Sequence, residues 1–182
     1  NAAPWVMDRA VYRKSKLVSM VASNKGYTLG HQRRLKVVES YFKKQGGDDL
    51  FGWGLPQELP LKEKSKALRE YMFSFAVENA NYPTYFTEKL TDCFACGTIP
   101  VYYGTVGVAQ YFNPEGIIFL DEKTPWENIP WDKLTPEYYE SRKDVIKENF
   151  EIAKCMRVAE DFMYGNYLYQ LDPLRQQKPQ LL

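Results

Sequence analysis

Residues 73–104 read FSFAVENANYPTYFTEKLTDCFACGTIPVYYG, and this stretch decides the fold. Its apolar start, with Phe73, Phe75, Ala76 and Val77, fits a buried strand that opens onto Glu78-Asn79. A loop containing Pro83 leads to Thr87-Glu88-Lys89, from which an amphipathic helix is expected to run until Gly97. A second apolar run, Ile99-Pro100-Val101-Tyr102-Tyr103, closes at Gly104. Strand, polar turn, helix and strand make the repeating unit of a parallel sheet. Sheets of this kind take ligands outside the carboxyl ends of their strands. The polar groups after Val77 are therefore candidate ligand contacts.

The same rhythm extends in both directions. Residues 17–23 (LVSMVAS) suit a buried strand, and residues 24–30 form a turn-rich loop. From His31 a helix is predicted, with Leu35, Val38, Tyr41 and Phe42 at helical spacing, ending near Gly46-Gly47. Residues 49–52 fit a short strand, the Pro-rich residues 55–61 a surface loop, and residues 62–71 (KEKSKALREY) a helix running straight into the motif strand. Beyond Gly104, residues 106–112 read as a short helix and residues 116–120 as another buried strand. Thr135-Pro136-Glu137 combines an N-cap, a first-position proline and a first-turn acid, and opens a helical region in two pieces that reaches about Leu171. The reading is an α/β fold, a Rossmann-like parallel sheet with helices on both faces. The domain covers residues 17–171, preceded by a lead-in segment or linker (1–16) and followed by a mobile Pro- and Gln-containing tail (172–182).

Composition excludes several function classes. With 24 Lys and Arg against 23 Asp and Glu, the chain lacks the basic excess of a nucleic-acid or anionic-membrane surface. No apolar run approaches the roughly 20 residues of a membrane span, so the expected location is cytoplasmic, or peripheral on the cytoplasmic side of a membrane. Because residue 1 is Asn rather than Met, a trimmed upstream region is expected. Cys93 and Cys96 form C-x-x-C within the predicted helix rather than at a redox-active N-terminus. Only Cys155 and the single His31 could complete a metal site, so buried helix-face thiols and no metal are expected. Asp48-Asp49 and Asp121-Glu122 form no D-x-D and read as solvated strand-end acids. Loop 24–30 lacks the dinucleotide and P-loop glycine patterns. His31, with no G-x-S-x-G to accompany it, suits loop capping or a phosphate contact. The 14 Tyr and 10 Phe are assigned to the core rather than to sugar stacking.

Two cationic positions stand out on the residues alone. Lys89 falls in the first turn of its helix, where the macrodipole disfavours a cation unless an anion also binds. Arg33 and Arg34 follow a strand-to-helix loop, the usual place for a phosphate-binding turn, and a planar guanidinium can bridge two phosphate oxygens.

At these residues the chain resembles the nucleotide-sugar-binding region of the family-10 glycosyltransferases, the α1,3/α1,4-fucosyltransferases. The resemblance rests on Val77-Glu78-Asn79, Tyr85-Phe86-Thr87-Glu88-Lys89-Leu90, Cys96-Gly97 and Ile99-Pro100-Val101, and covers residues 17–121 well. It implies the C-terminal, donor-binding domain of a two-domain GT-B enzyme. It further implies that Arg34 (placed before Val37-Val38 as in the family), Tyr85 and Lys89 contact the donor diphosphate. Glu88 would bind ribose or sugar hydroxyls, and Asn79 would sit near them at the strand end. The implied reaction is transfer of a sugar, L-fucose from GDP-fucose above all, to a carbohydrate acceptor with inversion and with no obligatory metal. The catalytic base is expected outside this chain, in an N-terminal acceptor domain, a partner subunit or a second copy in a homodimer. A non-catalytic sugar-nucleotide-binding module, or one half of a split enzyme, is the alternative. An unrelated Rossmann enzyme such as a methyltransferase is the third reading.

Overall fold

The structure, a computed structural model, describes residues 3–27, 29–39, 49–52, 54–55, 57–121, 123 and 129–156. The expected helix end at Gly46-Gly47, Asp48, Glu122, the helical region 157–171 and the tail 172–182 lie outside the described residues. Five strands, β1 (Lys16–Val21), β2 (Leu50–Phe51), β3 (Tyr71–Val77), β4 (Ile99–Tyr103) and β5 (Ile118–Phe119), form one sheet in the order β2-β1-β3-β4-β5. Every neighbouring pair is parallel. The α/β fold class expected from the sequence is the one observed.

The pleat sends alternate residues of β3 to opposite faces. Phe73, Phe75 and Val77 join Val18, Met20 and Val101 in one core layer, which is closed by Val37 of α1 (Leu29–Val37), Tyr139 of α3 (Pro136–Ser141) and Ile146 of α4 (Lys143–Cys155). Ala76 and Tyr102 face the other layer with Leu90 and Phe94 of α2 (Glu88–Ala95) and Ala153 of α4. Near the sheet centre the second face is small: Ser19 Oγ donates to Ala67 O at 2.6 Å. Apart from Lys89, every residue of α2 is buried. The helix ends in a Schellman arrangement, with Gly97 at φ +66°, Gly97 N donating to Phe94 O and Thr98 N to Cys93 O. Only glycine takes that conformation cheaply.

Two expectations are corrected. Residues 62–71 do not form an α-helix; a 3₁₀ helix covers Leu61–Ala67, and Tyr71, assigned to that helix from sequence, starts β3. Tyr71 is wholly buried and its hydroxyl donates to Asp49 Oδ1 at 2.7 Å, so β pairing with β1 prevails over local helical propensity. That same bond engages Asp49, which is therefore not a free solvated acid. Residues 3–15 run along the domain surface: Ala3 and Val6 are buried, and Ala10 N donates to Ala95 O. No helix among the described residues is long and apolar enough to cross a membrane.

Cys93 and Cys96 are buried while Cys155 is exposed. Burial raises the Cys93 thiol pKa and pushes that of Cys96 up to about 12. A thiol reagent at pH 8 should therefore label Cys155 rapidly and the other two only after denaturant is added. Three equally fast thiols would contradict this packing of α2.

Candidate functional site

The motif's polar side chains meet beyond the carboxyl end of β3. Glu78 follows the strand directly, and its side chain is fully enclosed. Thr87 N donates to its Oε1 at 2.8 Å and the Thr87 hydroxyl to its Oε2 at 2.8 Å. Thr87 is also the N-cap of α2, its Oγ1 accepting from Lys89 N at 3.4 Å and from Lys89 Nζ at 3.0 Å. Lys89 Nζ lies 3.5 Å from Glu78 Oε2 and 3.4 Å from Glu88 Oε1. The expectation that a first-turn lysine requires a bound anion is thus revised, because two carboxylates already offset its charge. Burial raises the Glu78 pKa, while Lys89 and the Thr87 hydrogen bonds oppose that rise.

Arg34 reaches the same place from α1. A Cβ on Gly30 would lie 2.5 Å from both Asn79 Cα and Glu78 O, so this turn of α1 packs directly on the chain leaving β3. Four residues on, along the same helix face, Arg34 is 7% exposed and its Nη2 donates to Asn79 Oδ1 at 2.9 Å. Its buried Nε finds no acceptor among the described residues. Burial lowers the Arg34 pKa, and the charges of Glu78, Glu88 and Tyr85 counter the effect. Arg33 instead stacks 4.5 Å from the Tyr103 ring centroid, which separates the two arginines that sequence left in competition. Tyr85 packs edge-on against Tyr82, and its hydroxyl pKa is raised by burial, then by Glu78 and Glu88. The His31 pKa is lowered by burial and by Arg34, Lys25 and Lys89, so the histidine borders the same cations. Arg34, Asn79, Tyr85, Glu88 and Lys89, chosen from sequence, are therefore brought together.

Two members of the cluster were not anticipated. Lys64 Nζ lies 2.5 Å from Asp92 Oδ2 and 3.9 Å from Glu88 Oε1. Asp92 is wholly buried, and its Oδ1 accepts from Trp5 N at 2.6 Å and Val6 N at 2.9 Å. The i, i+4 spacing of Glu88 and Asp92 on one helix was the available signal. Lys64 was hidden within a charge run that reads as a solvated face. Asp92, Lys64, Glu88, Lys89 and Glu78 form a row of alternating charge. Lys64, Glu88 and Lys89 of this row line a cleft of about 550 Å³, together with Lys25 and Arg34 and with Trp5, Val21, Leu59 and Pro60. Such a site suits a ligand with concentrated negative charge, hydroxyl groups and an apolar ring.

The sequence model described as glycosyltransferase family 10 (fucosyltransferase) C-term matches residues 11–122. The α-(1,3)-fucosyltransferase FucT of Helicobacter pylori is 33% identical over 90 residues, which is 49% of this chain and 19% of that protein. A putative fucosyltransferase-like protein of Arabidopsis thaliana is 33% identical over 91 residues, 50% of this chain and 18% of that protein. A crystal structure of an α1,3-fucosyltransferase superposes with a TM-score of 0.51 at 26% identity, covering 76% of this chain and 38% of that one. The matched stretches span less than a fifth of those two curated relatives.

Proposed function

The chain belongs to glycosyltransferase family 10, and from that membership we propose that the cleft is the sugar-nucleotide donor site of a fucosyltransferase. One observation carries the reading: Arg34, Lys89 and Glu88 converge on a single cleft at the carboxyl ends of parallel strands, where Lys25 and Lys64 add positive charge. In this reading Arg34 and Lys89 neutralise the diphosphate of a GDP-sugar and Tyr85 donates to it. Glu88 accepts from vicinal ribose hydroxyls, and Asn79 orients Arg34.

The mechanism follows from that assignment. An acceptor hydroxyl of a carbohydrate attacks the anomeric carbon from the face opposite the diphosphate. The glycosidic C–O bond to GDP breaks as the new one forms, which inverts the centre. Negative charge grows on the departing β-phosphate, and the fixed cations stabilise it at that moment. The neutralising role falls to side chains, so GDP affinity should be the same with and without EDTA. A carboxylate base must take the acceptor proton. Glu78, Asp92 and Glu88 are each engaged by a neighbouring cation or by Thr87, so none is free for that work. This favours a base supplied from outside these residues. It also sustains a second reading, a donor-binding module that does not turn over by itself.

Calorimetric titration with GDP, GDP-fucose, GDP-mannose, UDP and UDP-glucose tests the proposal. Binding restricted to the guanosine nucleotides is expected. Equal binding of uridine nucleotides, or no binding at all, would overturn it. Turnover above background by the purified chain, with a panel of carbohydrate acceptors, would exclude the binding-module reading.

A further inference from the structure

Trp5 is an exposed aromatic at the cleft, on a segment that precedes the matched residues 11–122. Exposed side chains outside regular secondary structure ordinarily have no fixed position. The backbone here is held, because the backbone N–H groups of Trp5 and Val6 both donate to the buried Asp92 carboxylate. Val6 beside it is buried in the α2 core layer, and Arg9 Nε donates to Val6 O at 3.1 Å. The Trp5 ring lies 5.3 Å from Lys64 Nζ, which itself is paired to Asp92. The indole is thus positioned while 41% of the residue stays open to solvent at the cleft wall.

The groups along the cleft have an order. Lys89 contacts Glu88, Glu88 contacts Lys64, and Lys64 contacts the Trp5 ring. A nucleoside diphosphate has the same order of parts: charged phosphates, a ribose with two hydroxyls, and a flat base. We propose that the Trp5 indole is the stacking wall for the purine base of the bound nucleotide. The inference rests on the donor-site reading and extends it to a residue outside the matched family region. Every base presents a π-face to an indole, so Trp5 supplies affinity and position rather than choice of base. Asp92 and Lys64 act through it as positioning residues: they hold the segment that carries the ring.

The test compares GDP and inorganic pyrophosphate binding to the full 182-residue chain and to its Trp5→Ala and Trp5→Phe variants. Stacking on an aromatic side chain corresponds to a loss of about tenfold in affinity when the ring is removed. Trp5→Ala should therefore bind GDP about tenfold more weakly than wild type, Trp5→Phe nearly as well as wild type, and all three should bind pyrophosphate alike. GDP should also quench indole emission in wild type, and that quenching should be missing in Trp5→Phe, which keeps a ring and the fold. Undiminished GDP binding by Trp5→Ala overturns the proposal and leaves the donor site standing. Parallel loss of pyrophosphate overturns it too, because the tryptophan would then act only by holding Lys64. Wild type that binds neither ligand removes the donor-site reading and this inference together.

Discussion

Lys89→Ala is expected to weaken GDP binding by roughly 30- to 150-fold, the equivalent of about 2–3 kcal/mol for a charge-assisted contact to a phosphate. The lysine is the one residue of α2 that is not buried, and its ammonium faces the cleft beside Glu78, Glu88 and Thr87. The stability cost should be small by comparison. Without the cation, Glu78 keeps its hydrogen bonds from the Thr87 N–H and hydroxyl. Glu88 stays 3.9 Å from Lys64. Binding and folding are therefore separable at this position, and calorimetry beside thermal melting measures each. An affinity equal to that of wild type would remove Lys89 from the diphosphate contact.

Glu78→Ala should have the opposite profile, with a loss of about 3 kcal/mol in stability. For a domain of this size that corresponds to a fall of roughly 6–12 °C in Tm. The carboxylate is the acceptor for the backbone N–H and the hydroxyl of Thr87, and Thr87 caps α2. Its removal leaves a buried N–H without an acceptor and frees the residue that starts the helix. Glu78→Gln keeps one oxygen for Thr87 N and should lose less. The two also differ in pH response. The folded chain holds the Glu78 pKa above its ordinary value of 4.5, so the unfolded chain releases this proton first as pH rises. The contribution of Glu78 to stability is complete below 4.5 and declines as pH rises through the folded value. Glu78→Gln has no such window, and its stability should be flatter between 4.5 and the folded value. A Glu78→Ala variant that melts with wild type would show that Thr87 finds another acceptor.

The strand pattern was legible because the core strands are nearly continuous apolar runs between turn residues. Phe73 to Val77 and Ile99 to Tyr103 could be read without knowing their partners. The KEKSKALREY segment misled for a physical reason. Its residues favour a helix locally, whereas Tyr71 gains more by pairing with Lys16 of β1 and closing over Asp49. Those partners lie more than 20 residues away and leave no trace in the local pattern. The first-turn lysine carried a real electrostatic oddity, but its resolution lay partly in Glu78, eleven positions earlier in the chain, and not only in a future ligand.

Local pattern was enough for the α/β class and for the two β-to-loop-to-helix turns that carry polar side chains, whereas Arg34, Asn79, Tyr85, Glu88 and Lys89 were named as donor contacts through the resemblance to the family. The class and the turns depend on short-range periodicity, capping and turn chemistry, which neighbouring residues encode. The tertiary structure gave the physical separation of Arg33 from Arg34, because a closely packed Gly30 turn directs one guanidinium at Asn79 and the other rests on Tyr103. It alone brought Lys64 and Trp5 to the cleft through the buried carboxylate of Asp92. Contacts between residues tens of positions apart are set by how the layers pack, and no local pattern carries that information.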